Sequence, residues 1–515
     1  MSASHNASHA LSKSRVMRGL QCHKALWLGT HRKDVARPVT PEQQAVFDQG
    51  TRVGELARER FPGGLLIDAP CWNPDQAVQQ TRAAIDAGAT VLYEPAFVHE
   101  SVTVRVDVLH RERPAAAWHL VEVKSSTSVK DVHVPDVAVQ AWVLAGCGEP
   151  VDACHLMHIN RECEHPHLEQ LFIIEDVTSL VEPVLGGMSD IVAELAGVIG
   201  RNEAPAIDIG PHCAKPYECS FREHCWKENS VPDWSVFDVR SLRSKQRWAL
   251  YHDGVISSRD VLARLRQEGL GADTPAGRSA EALVTGHRFI DPEALCEALA
   301  DWSYPRLFLD FETLGGAVPP FPGTRPYPMV PFQYSAHVLR GPTAELEHFE
   351  YLHPDDSDPR PVLSATLAGL ARDVFDSHGD DPGCVVAYNS GFERGCLERL
   401  AESSPDHGPE LLDLAHRLVD PLPILRAAVY DRAFRTSYSL KAVAPALLGS
   451  DAAYSGMDVD SGPVAQLAFA EMIDPRCSPE RRSELEAALL AYCCQDTAVL
   501  VKLVQWMEGE GGLTP

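Results

Sequence analysis

The stretch SVTVRVDVLHRERPAAAWHLVEVKSS, residues 101–126, decides the reading of the first half of the chain. Val102, Val104, Val106 and Val108 recur with a period of two, and Trp118, Leu120 and Val121 lead into a second apolar run. Alternate side chains of an extended strand point to opposite faces, so this reads as consecutive strands, most simply an antiparallel pair. Asp107 falls on the first strand, and Glu122 and Lys124, two residues apart, share one face of the next. Helical patterns at about 41–60, 75–88 and 134–146 flank the strands and make 20–200 an α/β unit, closed by a Cys-rich, Pro-containing stretch at 205–226.

Beyond it, residues 233–300 are more helical, with two short helices expected around Gly254. A second α/β domain opens at about 304 with RLFLDFE, continues through PFQYSAHVL and GCVVAYNSGFE, and ends in a helix carrying LEAALLAYCCQDTAVLVKLVQWM. Residues 1–10, rich in Ser, Ala, His and Asn, are expected to fray. The 515 residues, 45% apolar and 23% charged, describe a chain that buries a core and suggest two to four domains. No run approaches 18 consecutive apolar residues and no secretory leader is visible, so a cytoplasmic location without a membrane partner is expected. Fourteen Cys, with a vicinal pair at Cys493 and Cys494, point to thiolate or metal chemistry rather than a secreted disulfide scaffold.

The net charge of −26 argues against attachment to polyanions over the whole surface. Residues 1–230 hold 21 basic and 30 acidic groups, 231–300 hold 9 and 10, and 301–515 hold 16 and 32. Residues 1–33 contain six Lys or Arg and no acid, so a bound nucleic acid would draw its phosphate contacts from a local basic strip. A plain basic tail is the alternative.

Carboxylates can hold Mg²⁺ or Mn²⁺ against a phosphate oxygen, while a Lys orients water and offsets developing charge. Glu-x-Lys on a strand is commonly a solvated pair. Asp107 before it and a following helix with Gln140 make Glu122 and Lys124 site candidates. The set resembles the RecB-like branch of the PD-(D/E)XK nucleases, with their restriction-endonuclease-like α/β fold. That resemblance implies catalytic Asp107, Glu122 and Lys124, a metal held by Asp107 and Glu122, and Gln140 beside the site. Glu55 in RVGELARERF and Glu94 are further candidate acids.

Cys213, Cys219 and Cys225 lie in HCAKPYECSFREHCW with five residues between successive Cys, and Cys22 lies far upstream. Together they can supply a four-thiolate cage that ties the two ends of the domain. Zinc is the rival, with His212 and His224 adjacent. The arrangement resembles the iron–sulfur RecB-like nucleases of recombination helicases and CRISPR adaptation, although their first late gap is tighter. It implies that Cys22, Cys213, Cys219 and Cys225 bind a [4Fe–4S] cluster.

In the second domain, LFLDFET puts Asp310 and Glu312 on one strand face, where cations must offset the paired charge. VVAYNSGFERGCL follows, and YCCQDTAVL sets Tyr492 and Asp496 four apart on one helical face. In order, these pieces resemble the exonuclease motifs of DnaQ-like enzymes on the RNase H-like fold. The resemblance implies metal binding by Asp310, Glu312 and Asp496, the second-motif acid at Glu393, and Tyr492 as orienter of the attacking water. That motif normally reads Asn-x-x-Phe-Asp, and here it is Asn389, Phe392 and Glu393. Asp420 in RLVDPLPIL is the fallback carboxylate.

The likeness runs over about 302–508, including PFQYSAH, DPR at 358–360 and YSLKAVAPAL at 438–447. The whole resembles an uncharacterised bacterial family that joins a RecB-like domain and an iron–sulfur loop to an RNase H-like domain. The expected layout is a nuclease domain at 11–230, a helical connector at 231–300 and an exonuclease domain at 301–510. The implied function is metal-dependent phosphodiester cleavage on nucleic acid, DNA ahead of RNA; the alternative is a nucleic-acid-binding or complex-forming scaffold. The connector weakly resembles a helix–hairpin–helix, with Arg240, Arg243, Lys245 and Arg247 as phosphate contacts, against a plain helical linker.

Overall fold

Trp118, Leu120 and Val121 anchor the central strand of the first unit, Trp118–Lys124. The computed structural model describes residues 10–70, 72–114, 116–376 and 382–513, so residues 1–9 of the expected frayed tail lie outside the described residues. The chain is a mixed α/β structure that divides into two units. One comprises residues 1–230 with Gly316–Pro328, the other Val231–Gly315 with Met329–Pro515.

In the first unit six strands stand in the order Leu65–Leu66, Val91–Tyr93, Val108–His110, Trp118–Lys124, Val151–Ile159 and Phe172–Asp176. Val108 sits opposite Val121 in an antiparallel pair, whereas Trp118–Lys124 runs parallel to Val151–Ile159. A parallel neighbour needs a crossover, and the helix His133–Gly146 provides it. Its Val137, Ala138, Ala141 and Leu144 join Trp118, Leu120 and Leu156 in one buried core. Helices Pro41–Ala57 and Pro74–Asp86 occupy the other two helical patterns, each started by a side-chain cap, Thr40 and Asn73.

The valine run differs from the expected single strand. All four valines are buried, but Val102–Arg105 pairs with Ala96–His99 in a separate small sheet, and Val108–His110 belongs to the main one. The chain changes sheet at Val106 and Asp107, so Asp107 sits at a junction between strands rather than on one. There the Glu94 N–H donates to the Asp107 carbonyl at 3.2 Å, and the Val106 N–H donates to Pro95 at 3.0 Å.

Gly316–Pro328 packs within this first unit. Ala317 joins Val53 and Met157 in a buried cluster, Tyr327 donates its hydroxyl to the Ser125 carbonyl, and Arg325 pairs with Glu162 at 3.0 Å.

The second unit is built on five strands in the order Leu346–Leu352, Val330–Leu339, Arg306–Leu314, Cys384–Val386 and Leu418–Val419. Neighbours among the first three are antiparallel, and the last two join in parallel. Leu307, Leu309 and Phe311 on one face meet Leu363, Leu367, Cys396 and Leu397. The helix Pro479–Glu510 packs on the opposite face. Burial on both faces explains the nearly unbroken apolar run of RLFLDF. That helix has a window of mean hydropathy 1.5, long and apolar enough by length and composition to cross a bilayer. Here its Leu489, Cys493, Leu500, Leu503 and Val504 are buried in the core.

Residues 231–315 cluster with this second unit: Phe289–Ile290 pairs with Val429–Tyr430, and Leu295 and Leu299 enter its core. Helices Ser244–His252 and Ser258–Gln267 flank Gly254, whose φ of 76° is left-handed.

Gly383 leads into the strand Cys384–Val386 with φ 61°, and a Cβ there would lie 2.6 Å from the Pro305 carbonyl oxygen. Gly383→Ala should therefore destabilise the second unit by at least about 1 kcal/mol, read as a lower urea midpoint. An unchanged midpoint would show that the strand shifts freely.

Candidate functional site

Glu122 is 1% exposed, and burial by itself raises its pKa. Three donors converge on it: Lys13 Nζ at 2.8 Å and Lys124 Nζ at 2.5 Å on Oε1, and Gln140 Nε2 at 2.7 Å on Oε2. The two ammonium groups outweigh burial and hold the carboxyl below the ordinary range. Lys124 also donates to Asp136 Oδ2 at 2.6 Å, and Lys13 lies 3.7 Å from Asp136 Oδ1. Asp107 accepts the Val123 N–H at 2.6 Å; burial and then Glu122 push it up to about 7. Glu94 adds to that rise and sits 3.5 Å from Arg58.

The four residues expected from the sequence thus come together, and two that the sequence reading missed complete the set. Asp136 carried a signal, since it stands four residues before Gln140 on the same helical face. Lys13 carried none, being 109 residues from its partner. Glu55 is not among them: it is exposed and pairs with Arg52 at 3.4 Å. A cleft of about 790 Å³ opens beside Lys13, Lys124 and Asp136, lined also by Arg18, Arg37, Phe47 and Tyr217, and reaches Cys219.

Cys22, Cys213, Cys219 and Cys225 are all free thiols and line one small cavity. Burial raises Cys213 and Cys219, and pushes Cys225 up to about 11. Of the neighbouring histidines, His224 faces Glu228 at 3.1 Å, and the His212 carbonyl accepts from Gln21. The donor set can hold a thiophilic metal, and binding would displace thiol protons.

In the second unit, Asp310 and Glu312 occupy one face of Arg306–Leu314, opposite Ser335 and Gln333 of the neighbouring strand. Asp496 and Tyr492 reach them from the helix Pro479–Glu510. Burial, then the charges of Asp496 and Glu312, pushes Asp310 well above its ordinary range. Burial and Asp496 push Glu312 up to about 8. Glu393, on the helix Gly391–Ser403, is 3% exposed, is pushed up to about 8 by burial, and leaves Oε2 buried without a hydrogen-bond partner.

Three further groups belong to this site. Lys441 donates to the Tyr492 hydroxyl at 2.7 Å and to the Asp460 carbonyl. Tyr454 donates to Asp496 Oδ1 at 2.5 Å, and Cys493 Sγ lies 3.6 Å from Asp310 Oδ2. Ligand atoms of Asp310, Glu312 and Cys493 all lie within 4.8 Å of one another, a grouping that can hold a metal ion. The cluster of buried carboxylates, with one ammonium and an orphaned oxygen beside it, fits a divalent cation.

Asp420 has another task. Its carboxylate accepts the N–H groups of Asn389, Ser390 and Leu422 at 3.1, 2.9 and 2.9 Å, fixing the turn that launches the Glu393 helix. In the connector, Arg240 stacks 3.5 Å over Tyr438 and Arg247 donates to the Val239 carbonyl, so both are engaged internally, while Arg243 and Lys245 are exposed. The N-terminal basic strip is also partly spent: Lys13 lies in the acidic site, Lys24 pairs with Glu228 at 2.7 Å and Arg32 with Asp34 at 2.9 Å.

A family model described as a domain of unknown function (DUF2779) matches residues 307–439. That stretch contains Asp310, Glu312, Glu393 and Asp420 and ends before Lys441, Tyr492 and Asp496. No curated protein sequence matches the chain.

Glu312 and Glu393 keep their protons in the fold up to about pH 8, whereas the unfolded chain releases them near the ordinary 4.5. Between those values the unfolded state binds fewer protons, so metal-free protein should lose thermal stability as pH rises through that window. A divalent cation bound there would displace the same protons, so a rise in melting temperature on adding Mn²⁺ should be larger at the upper end of the window. Glu312→Gln should flatten the metal-free slope, and a melting temperature independent of pH across that range would contradict this account.

Proposed function

We propose that the chain is a metal-dependent nuclease with two phosphodiester-cleaving sites, acting on DNA ahead of RNA, in a cytoplasmic setting. The reading takes the first unit as RecB-like PD-(D/E)XK and the second as RNase H-like of the DnaQ type. The observation that carries it is the convergence of Asp310, Glu312, Glu393 and Asp496 on one buried place, with Lys441 beside them as a compensating cation. Such a cluster is costly unless divalent cations neutralise it.

A divalent ion held there, Mg²⁺ or Mn²⁺, would polarise the phosphate and make a nucleophile of water near neutral pH. Asp310, Glu312 and Asp496 would be its ligands, and Glu393 adds a further buried carboxylate whose Oε2 has no hydrogen-bond partner. Burial and Asp496 raise the Tyr492 phenol far above neutrality, so Tyr492 remains a neutral hydroxyl that orients water. Lys441 fixes that hydroxyl. In the first unit Lys124 is held cationic by Glu122 and Asp136 and faces the cleft, where it can meet a phosphate oxygen. Arg18, Arg37 and the exposed Phe47 and Tyr217 give the cleft both charge and stacking faces, which suits a single strand.

A scaffold reading has one specific observation behind it, confined to the first unit: Lys13 and Lys124 already neutralise Glu122. Degradation of labelled single- and double-stranded DNA and of RNA with Mn²⁺ or Mg²⁺ separates the two. Asp310→Ala and Glu122→Ala should each remove one class of product by about 100-fold or more, and the double variant should be inert. Full activity in the double variant would overturn the nuclease reading. Loss with Asp310→Ala alone would leave the first unit a scaffold.

For the thiol cage the proposal is a [4Fe–4S] cluster. Four thiols from both ends of the domain line one small cavity, the ligand set such a cluster takes, and tetrahedral zinc accepts the same four. Anaerobically isolated protein should be brown with a broad thiolate-to-iron absorption, and Cys219→Ser should bleach it. Colourless protein with stoichiometric zinc at these thiols would establish the zinc alternative.

A further inference from the structure

His337 and His348 face each other across two antiparallel strands, in direct register. Their rings stack with centroids 4.4 Å apart. Cys494 comes down from the helix Pro479–Glu510 onto the same place, and one ring nitrogen of each His and Cys494 Sγ all lie within 4.8 Å of one another. Two hydroxyls hold the imidazoles from behind. Thr497 Oγ1 is 2.8 Å from His337 Nδ1, and Ser335 Oγ is 3.0 Å from His348 Nε2. The two hydroxyls are themselves hydrogen-bonded at 2.8 Å.

This is the organisation that a metal site requires of its supporting groups, since a ligating His has its other nitrogen fixed by a hydrogen bond. The bonds leave Nε2 of His337 and Nδ1 of His348 as the ligating atoms, and Cys494 Sγ lies 4.0 Å from that Nδ1. Glu350 Oε2, 3.9 Å from His348 Nε2, adds a carboxylate behind the exposed ring. Imidazole and thiolate select a borderline-soft ion, whereas the carboxylates at Asp310 select a hard one.

We propose that His337, His348 and Cys494 form a separate binding site for a borderline-soft divalent transition-metal ion, zinc by preference, with its fourth position open to water. The strand Leu346–Leu352 is the sheet edge, and the ion clips it to the helix that carries Tyr492, Cys493 and Asp496. The vicinal cysteines divide between the two chemistries: Cys493 donates to Asp310, and Cys494 ligates zinc.

The test uses the full chain, stripped with a chelator and then titrated with Zn²⁺ and with Co²⁺ as a coloured substitute. Cys494→Ser and His348→Ala should each bind one equivalent of zinc fewer than the wild type, and Cys494→Ser should lose the corresponding thiolate-to-Co²⁺ absorption. Thr497→Val removes the supporting hydrogen bonds to His337 and Ser335 but no ligand, so it should keep the stoichiometry and weaken binding by about 10–100-fold. His348 is exposed, so its variant should keep the wild-type circular dichroism and remain interpretable. Equal zinc stoichiometry and an unchanged Co²⁺ spectrum in folded Cys494→Ser and His348→Ala would overturn the proposal. Binding of Cu⁺ but not Zn²⁺ would overturn the assignment of the ion.

Discussion

Charge balance around buried carboxylates governs both units, and each unit meets it differently. Around Glu122 the compensation is internal: two lysines and an amide surround the carboxylate, and neighbouring Asp136 shares both lysines. Around Asp310 the carboxylates press on one another with Lys441 alongside, and the balance is met by held protons. One site is an ion-pair network balanced by its own side chains; the other holds protons that a cation can replace.

The difference follows from where each set sits in the sheet. Glu122 lies beneath a crossover helix that brings Gln140 and Asp136, and the helix Lys13–Gln21 adds an ammonium. Asp310 and Glu312 lie on a strand whose other face packs Leu307, Leu309 and Phe311 into the core, under a helix with a polar stripe of Tyr492, Cys493, Asp496 and Thr497. The sheet therefore carries acids on Arg306–Leu314 and imidazoles on the two strands beyond it, donors graded from hard to soft.

Much of this was legible where the signal is local. Periodicity located the Glu122 strand, the Asp310 strand and the long C-terminal helix, because face alternation and helical spacing are written in adjacent residues. It could not show that the valine run breaks at Asp107, since a period of two is the same whichever sheet a strand joins. Lys13, Lys441 and Tyr454 escaped for a different reason: their partners are tens of residues away or more, and only the tertiary fold defines the pairing. Asp420 looked like a spare ligand because a carboxylate after a strand does not reveal whether it faces cations or backbone amides.

The assignment of Gly316–Pro328 to the first unit has a practical corollary. The chain leaves the first unit after Ser230, returns for thirteen residues and departs again, so the boundary between the units is crossed three times. No single cut separates them. A fragment starting near 300 would carry Ala317, Tyr327 and Arg325 stripped of Val53, Ser125 and Glu162, and a fragment ending near 230 would leave those partners bare. Genetically the two units are interleaved, so recombination could exchange neither one as a contiguous cassette without also replacing or bridging that short return.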